Sequence, residues 1–237
     1  MAGRPAEPEV IWSRPERAAR GPRPAYTRAE IAAVAVRIAD GDGLDAVSMR
    51  RVAGELGCGT MSLYNYVPRK EDLHELMVDL VADEHELPEP PSGDWRADLT
   101  GLAHGSRAIM RRHPWMSRLM SAAYGFSPNS IKFLEYSLWC LDPLDLPYGQ
   151  KVELVAMVNG VVTTYVANEI GTAERTRSLP WSAEREQEIR TAHLAKQLAT
   201  GRYPRLAAAV AAESGPVDME AVFDRALSRV LDSFARG

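Results

Sequence analysis

The chain has 237 residues, of which 46% are hydrophobic and 25% are charged, and its formal net charge is −4. This apolar content can bury a core, which excludes a largely disordered chain, and two cysteines are too few for a disulfide framework. The longest apolar stretch, residues 152–166, is interrupted by polar residues, and the arginine-rich first 20 residues hold no apolar segment, so we expect a cytoplasmic protein with neither a membrane span nor a secretory signal.

The N-terminal arm, residues 1–25, is rich in proline and arginine and shows no apolar periodicity, which predicts disorder. A capping box follows it at Thr27-Arg28-Ala29-Glu30. Apolar residues then recur at helical spacing from Ile31 to Ile38, and Gly41 and Gly43 supply a stop signal. These features predict a first helix.

A helix-turn-helix is predicted over residues 48–67. Ser48 is a start signal for one short helix and Gly57 is its stop. After the turn Gly57-Cys58-Gly59, a second short helix begins at Thr60 and ends before Pro68. Two short helices joined by such a glycine turn are typical of this motif.

The rest of the chain is also predicted to be helical. Residues 73–81 have the apolar spacing of an amphipathic helix, which a proline-rich linker at 87–93 ends. Further helices are predicted after residue 94, among them a long one that includes Val152–Val166 and a last one that follows Pro216. Because no alternating strand pattern of useful length is present, the fold class is all-α.

The second short helix has a polar face suited to DNA. If Met61 or Leu63 packs inward together with Val67, the side chains left outward can form hydrogen bonds or stack in a major groove. These are Thr60, Ser62, Tyr64, Asn65 and Tyr66, with Arg50 and Lys70 flanking them at positions suited to phosphate. Residues 1–70 contain 11 basic and 8 acidic residues, whereas the remainder contains 17 and 24, so only the N-terminal part is basic. The alternative is a helical hairpin within a core, whose tyrosines are half-buried packing residues.

Residues 27–77 resemble the DNA-binding domain of the tetracycline-repressor (TetR) family. The most specific match is Leu63-Tyr64-Asn65-Tyr66-Val67 followed by Lys70-Glu71-Asp72-Leu73, which is similar to the family's recognition helix and the start of its next helix. The resemblance implies that Thr60, Met61, Ser62, Tyr64, Asn65 and Tyr66 lie on the groove-facing helix. It also implies that Arg50 and Lys70 contact the DNA backbone.

The resemblance also implies a domain organisation. Residues 26–70 would form the helix-turn-helix domain, 71–87 a connecting helix, and 94–237 a ligand-binding and dimerisation domain similar to that of the tetracycline-repressor subgroup. There the helices near 149–170 and 216–234 would build a four-helix interface between two copies. For the last helix the alternative is packing within one chain.

Family members carry a pocket for a small molecule in the second domain, and aromatic, methionine and a few polar residues suit such a pocket. The candidates are Met110, Trp115, Met120, Tyr124, Trp139, Asn159, Thr163 and Glu169. For each methionine or tryptophan the alternative is ordinary core packing, whereas a buried Asn159 needs a polar partner. Glu169 aligns near the family's metal-linked glutamate, but Met120 stands where the metal-binding histidine is expected. The five histidines lack metal-ligand spacing, so we expect no metal and no cofactor.

Together these features favour a ligand-responsive dimeric repressor that binds a palindromic operator and is released by a small, largely apolar molecule. An all-α enzyme or another non-transcriptional helical protein with an incidental helix-turn-helix would leave Thr60–Tyr66 unexplained and lacks a catalytic constellation. A recombinase subunit would need a nucleophile or an acidic metal cluster in a separate domain. The arginines of the N-terminal arm (Arg14, Arg17, Arg20 and Arg23) either reach a minor groove or belong to a solvated tail.

Overall fold

The computed structural model describes residues 10–14, 26–119, 126–212 and 218–235. Over these residues the chain forms eleven α-helices and no strand, which confirms the all-α prediction. The helices are α1 Arg28–Asp42, α2 Met49–Glu55, α3 Thr60–Tyr64, α4 Lys70–Ala82, α5 Trp95–Arg112, α6 Met116–Leu119, α7 Pro128–Cys140, α8 Tyr148–Ser178, α9 Ala183–Leu198, α10 Pro204–Ala212 and α11 Met219–Phe234. None of these helices is both long and apolar enough to cross a membrane.

Helix α1 begins at the predicted capping box. The Thr27 hydroxyl accepts from the Glu30 amide at 3.1 Å, and the Thr27 amide donates to the Glu30 carboxylate at 2.7 Å. The helix ends at Gly43, whose φ of 83° is a left-handed conformation that glycine adopts without strain. Its apolar face, which includes the fully buried Ile31 and Ala35, packs against α4.

The helix-turn-helix consists of α2 and α3. The Ser48 hydroxyl caps α2 by accepting from the Arg51 amide at 3.2 Å, and Gly57, with φ of 70°, lies in the turn that follows. Helix α3 ends at Tyr64 rather than at the predicted Val67, although the Val67 amide still donates to the Leu63 carbonyl at 3.0 Å. Pro68 disfavours a helical conformation at Val67, so the last turn opens early.

Helix α4 connects the helix-turn-helix to the larger helical part of the chain. It packs against α1 on one side and α7 on the other. The Asp79 carboxylate, on α4, accepts from the backbone amide of Asn129 at 2.8 Å and from its side-chain amide at 3.1 Å. Any shift of α4 relative to α7 therefore has to break polar as well as apolar contacts.

Helices α5, α7, α8 and α11 form the bundle beyond α4, in which α8 contacts both α5 and α11. The long helix extends from Tyr148 to Ser178, so it is longer than the predicted 149–170. Helix α11 is capped by the Asp218 side chain and buries Phe223, Leu227 and Leu231. Helices α9 and α10 pack on each other and bury no residue completely, and α10 was not predicted.

The predicted disorder of the N-terminal arm is wrong for residues 10–14. Ile11–Ser13 form a 3-10 turn, and the Ile11 side chain is completely buried. The Arg28 guanidinium donates to the carbonyls of Ile11 at 2.9 Å and Arg14 at 3.0 Å, so these backbone groups are satisfied without a longer helix. A single buried residue in a proline-rich stretch has no periodicity to detect. Residues 1–9 and 15–25, which include Arg17, Arg20 and Arg23, lie outside the described residues.

Candidate nucleic-acid interface and adjoining cavity

Helix α3 separates an apolar inner side from a polar outer side. Leu63 and Val67 are completely buried, whereas the Met61 side chain is 78% exposed, so Leu63 is the residue that packs inward. Ser62, Tyr64 and Asn65 are exposed, and Thr60 at the start of the helix is half-buried. The hydroxyl and amide groups on this outer side are free of the core and can reach base edges or phosphates.

Tyr66 differs from the other predicted contact residues because it also packs within the domain. Its ring meets that of Tyr26 edge-to-face, with ring centroids 6.4 Å apart. The Tyr26 hydroxyl in turn donates to the Leu56 carbonyl at 2.7 Å. Tyr66 is half-buried, and this contact holds the end of α3 against the start of α1. The packing alternative for the tyrosines thus applies to Tyr66, whereas Tyr64 is exposed.

Two cations flank α3 in the positions expected for phosphate contacts. Arg50 lies in the first turn of α2 and Lys70 is the first residue of α4, and both are exposed. The described residues provide neither of them with an ion-pair partner. By contrast, their neighbours Arg51 and Arg69 pair with Asp42 and Asp72 respectively. Cations at helix N-termini add to the favourable field for a phosphate at that edge.

A largely apolar cavity of about 230 Å³ lies in the second domain beside α4. Its walls come from five helices, α4, α5, α6, α7 and α8, and from the residues just after α4. The residues with apolar side chains that line it are Val78, Ala82, Ile109, Met110, Met116, Phe133, Leu134, Val155 and Val162. Because one wall belongs to α4, a molecule in the cavity touches the helix that connects the helix-turn-helix to the second domain.

Five polar side chains also line this cavity: Ser106, Ser130, Asn159, Thr163 and His85. The Asn159 side chain forms no hydrogen bond with the described residues, so its amide is available to a ligand. His85 is already engaged. Its Nδ1 donates to the Ala82 carbonyl at 2.8 Å, and its Nε2 accepts from the Ser106 hydroxyl at 3.0 Å. Burial lowers the pKa of the His85 imidazole, which favours this neutral, singly protonated ring.

Of the predicted ligand-binding residues, Met110, Asn159 and Thr163 line this cavity, and Trp115, Trp139 and Glu169 do not. The Trp115 side chain is buried and its Nε1 donates to Asp40 at 2.7 Å. The Trp139 side chain is 42% exposed and packs against Tyr136. Met120 and Tyr124 lie outside the described residues.

Glu169 lies in an ion-pair network between α5, α8 and α11. Its carboxylate accepts from Arg107 and, at 2.8 Å, from Arg111, and both arginines also bind Glu220. Burial acts to raise the pKa of the Glu169 carboxyl, but hydrogen bonds from Arg111 and Arg107 keep this pKa below its usual value. A carboxylate held by two guanidinium groups has little capacity left for a metal. Among the described residues, no group of three or more His, Cys, Asp and Glu side chains is arranged to hold a metal ion.

Sequence reasoning missed His85, Ser106 and Phe133 as lining residues. The signal for His85 was present, because Val78, Ala82 and His85 have the spacing of a single helix face. Its ring lies against that of Phe133, with centroids 4.4 Å apart. The contact between residues 48 positions apart follows from the packing of α4 on α7, which local patterns do not specify.

Comparison with known proteins gives consistent results over most of the chain. Residues 87–235 match the family model described as "Tetracyclin repressor-like, C-terminal domain". The HTH-type transcriptional repressor DrrR1 of Streptomyces coeruleorubidus is 36% identical over 225 residues, covering 94% of this chain and 83% of the relative. An HTH-type transcriptional regulator of Saccharopolyspora erythraea is 32% identical over 220 residues, covering 92% and 88% respectively.

Solved structures share the same architecture. The TetR family protein ActR of Streptomyces coelicolor, in complex with actinorhodin, superposes with a TM-score of 0.75 at 25% sequence identity, covering 90% of this chain and 99% of ActR. ActR in complex with (S)-DNPA gives a TM-score of 0.66 at 23% identity, covering 89% and 98%, which supports the fold alone. The helix-turn-helix and the helical second domain described above are the architecture that these relatives share. The chain therefore belongs to the TetR family of transcriptional regulators and is not an enzyme.

Proposed function

We propose that this protein is a dimeric transcriptional repressor that binds a palindromic operator through α3 and is released by a small, largely apolar effector. The observation that carries the DNA-binding part is the two-sided character of α3. Leu63 and Val67 fix the helix to the core, which leaves Ser62, Tyr64 and Asn65 exposed on the opposite side. Exposed hydrogen-bonding groups on a short, firmly packed helix suit base contacts in a major groove.

The flanking contacts set the register of this helix on the duplex. Arg50 and Lys70 would bind phosphates on either side of the groove, with Thr60 and Tyr66 supporting the same contacts and Met61 offering an apolar surface to bases. In a dimer the two copies of α3 would occupy successive major grooves about one helical turn apart, which matches a palindromic site. Because the operator lies on chromosomal DNA, we place the protein in the cytoplasm.

For the dimer we propose an interface built from α8 and α11. Helix α8 exposes Val152 and Met157, and α11 exposes Met219, although their neighbours on the same helices are buried. Gly160 and Gly171 also lie on the exposed side of α8, where small residues allow a second helix to approach closely. Two helices from each copy would bury these apolar groups, as expected for a stable interface.

For the effector we propose the cavity beside α4. Met110 and the other apolar walls would contact most of the molecule, while Asn159 and Thr163 would orient it through hydrogen bonds. The superposable ActR is known in complex with actinorhodin, which supports a small-molecule ligand in a fold of this kind. An effector would lower operator affinity if it bound more tightly to a conformation in which α4 occupies a different position. The size of the effect is set by the difference between its binding free energies for the two conformations.

The DNA-binding part can be tested by gel retardation with the purified protein and its own upstream intergenic DNA at low salt. We expect a shifted band with the wild type, and a shift that needs a higher protein concentration with either Tyr64→Ala or Lys70→Ala. A wild-type protein that fails to retard this fragment, or variants that bind as the wild type does, would contradict the proposal or its residue assignment respectively.

The effector part can be tested by thermal-shift screening of hydrophobic metabolites and antibiotics, with actinorhodin included. We expect a compound that raises Tm and also dissociates the retarded complex. A reporter gene fused to the same upstream DNA then shows the direction of regulation. Expression that rises when the regulator gene is deleted supports repression, and expression that falls contradicts it.

A further inference from the structure

His113 joins three parts of the molecule through its ring. It is the C-cap residue of α5, and its side chain is only 9% exposed. The Nδ1 atom lies 2.8 Å from Asp40 Oδ1, near the end of α1, and Nε2 lies 2.9 Å from Glu84 Oε1, just after α4. One imidazole therefore links the helix-turn-helix domain, the connecting helix and the second domain.

The hydrogen-bond geometry requires a charged ring. Asp40 Oδ1 also accepts from Trp115 Nε1 at 2.7 Å, and Glu84 Oε2 accepts from Arg112 at 2.6 Å, so both carboxylates act as acceptors. An ionised carboxylate has no proton to donate, and hence each ring nitrogen of His113 must supply one. The resulting imidazolium and Arg112 balance the charges of Asp40 and Glu84.

The pKa of the Glu84 carboxyl agrees with this arrangement. Burial acts to raise it, but the hydrogen bonds from Arg112 and the charge and hydrogen bond of His113 lower it below the usual value. Glu84 is thus held as a carboxylate. The charged groups that face His113 are Asp40 from α1, Glu84 from the segment after α4, and Arg112 from α5 itself.

The cluster lies close in sequence to the cavity lining. His85, Met110 and Met116 line the cavity. Glu84 directly precedes His85, and His113 lies three residues from both Met110 and Met116. A molecule that displaces these side chains moves the backbone on which both Glu84 and His113 are carried. A second ion pair between the two domains in the described part of the chain, Arg118 with Asp45, is far more exposed and is therefore expected to contribute little.

We propose that the Asp40–His113–Glu84 cluster holds the helix-turn-helix domain in its DNA-binding orientation, and that effector binding in the cavity acts by opening this cluster. His113 is then a positioning residue for operator binding, and it acts through the placement of α1 and α4. This inference rests on the proposed function, because it needs a dimer, an operator and an effector site.

The test uses the full-length protein with a spin label on α1, at Arg37→Cys in a Cys58→Ala background. Arg37 is exposed, and the remaining Cys140 is buried. Pulsed dipolar spectroscopy gives the distance between the two labels of a dimer, and fluorescence anisotropy gives the affinity for the upstream DNA fragment. The variants are His113→Phe, which keeps an aromatic ring, and Glu84→Gln, which keeps the shape of a side chain that is 35% exposed.

His104→Phe is the matched control. His104 lies on the same helix and pairs with a single carboxylate, Asp224, at 3.1 Å, away from the helix-turn-helix domain. We expect both cluster variants to broaden the label distance distribution and to weaken DNA binding roughly tenfold. The control should leave both quantities at the wild-type values, and all variants should unfold cooperatively.

A spectroscopic measurement tests the charged ring independently of the variants' folding. In carbon-13 histidine-labelled wild type, the His113 ring should give the signature of a doubly protonated imidazole, as its two carboxylate partners require. Glu84→Gln should move that signal, together with that of the adjacent His85, whereas the signal of His104 should stay in place. A neutral His113 ring, or cluster variants with wild-type distances and affinity, would overturn the proposal while leaving the proposed function intact. A wild type that is monomeric or does not bind the fragment would overturn both.

Discussion

Arg107 of α5 lies directly over the ring of Phe223 of α11, with its guanidinium carbon 4.2 Å from the ring centroid. The arginine side chain is 2% exposed, and it also pairs with Glu169 of α8 and Glu220 of α11. Cation–π and charge-assisted hydrogen bonds thus converge on one buried group. Arg107 thus links α5 to α8 and α11, the two helices that we propose for dimerisation.

Replacing this buried arginine should be costly. We expect Arg107→Met to lower the free energy of unfolding by about 3 kcal/mol, because a half-buried Glu169 loses a partner. Urea unfolding followed by circular dichroism measures this quantity. Arg111→Met is the control, since Arg111 binds the same two carboxylates but is 45% exposed, and we expect a loss below about 1 kcal/mol. Equal losses from both variants would show that burial does not set the strength of this network.

The same network predicts a loss of stability in acid. The pKa of the Glu169 carboxyl is below its ordinary value of 4.5 in the folded state, so its stabilising effect is complete above that value and is lost as the pH falls through the folded pKa. From pH 6 to pH 3.5, the free energy of unfolding in urea should decrease more for the wild type than for Glu169→Gln. For Glu188→Gln, at an exposed position on α9, it should decrease as much as for the wild type. If Glu169→Gln and the wild type lose the same stability, the network does not contribute to acid sensitivity.

Phosphate contacts can be distinguished from base contacts by their salt dependence. We expect Lys70→Ala and Arg50→Ala each to weaken binding to all DNA fragments by a similar factor and to reduce the slope of log Kd against log salt by about 1. Both residues are exposed cations beside α3. Lys196→Ala, which removes an exposed cation on α9, should leave the slope unchanged. An unchanged slope in both test variants would rule out their phosphate contacts.

Asn159 provides a test of the effector cavity. Its amide lines the cavity and forms no hydrogen bond with the described part of the chain, so Asn159→Leu should leave Tm unchanged or raise it. The same variant should bind the compound found by thermal-shift screening about tenfold more weakly, as measured by calorimetry, because the ligand loses a hydrogen bond. Ser178→Ala, at the end of α8 and away from the cavity lining, serves as the control. Full effector affinity in Asn159→Leu would place the effector elsewhere.

Local signals in the sequence were sufficient for much of the fold. The capping box at Thr27 and Glu30 predicted the start of α1, and the glycine turn between α2 and α3 predicted the helix-turn-helix. The alternation along α3 left a choice between Met61 and Leu63 as the inward residue, because a five-residue helix is too short for a periodicity to decide. The structure resolves this choice through the burial of Leu63.

Contacts between distant residues were beyond such signals. His113 and its partners Asp40 and Glu84 are separated by 73 and 29 residues, and no spacing rule joins them. The same limit applies to Glu169. The sequence shows its position on a long, partly apolar helix, which makes it a ligand-binding candidate. Its arginine partners on α5 depend on how α5 and α8 pack.

Footprinting tests the central claim most directly, because it shows whether, where and through which helix the protein binds DNA. Hydroxyl-radical cleavage of the upstream intergenic fragment should be suppressed by the wild type over two symmetric half-sites whose centres are about one helical turn apart. Tyr64→Ala with Asn65→Ala, both on the exposed side of α3, should abolish this protection, whereas Lys196→Ala should retain it. Absence of any protected site, or protection that persists when the exposed side of α3 is removed, would contradict the claim that α3 reads an operator.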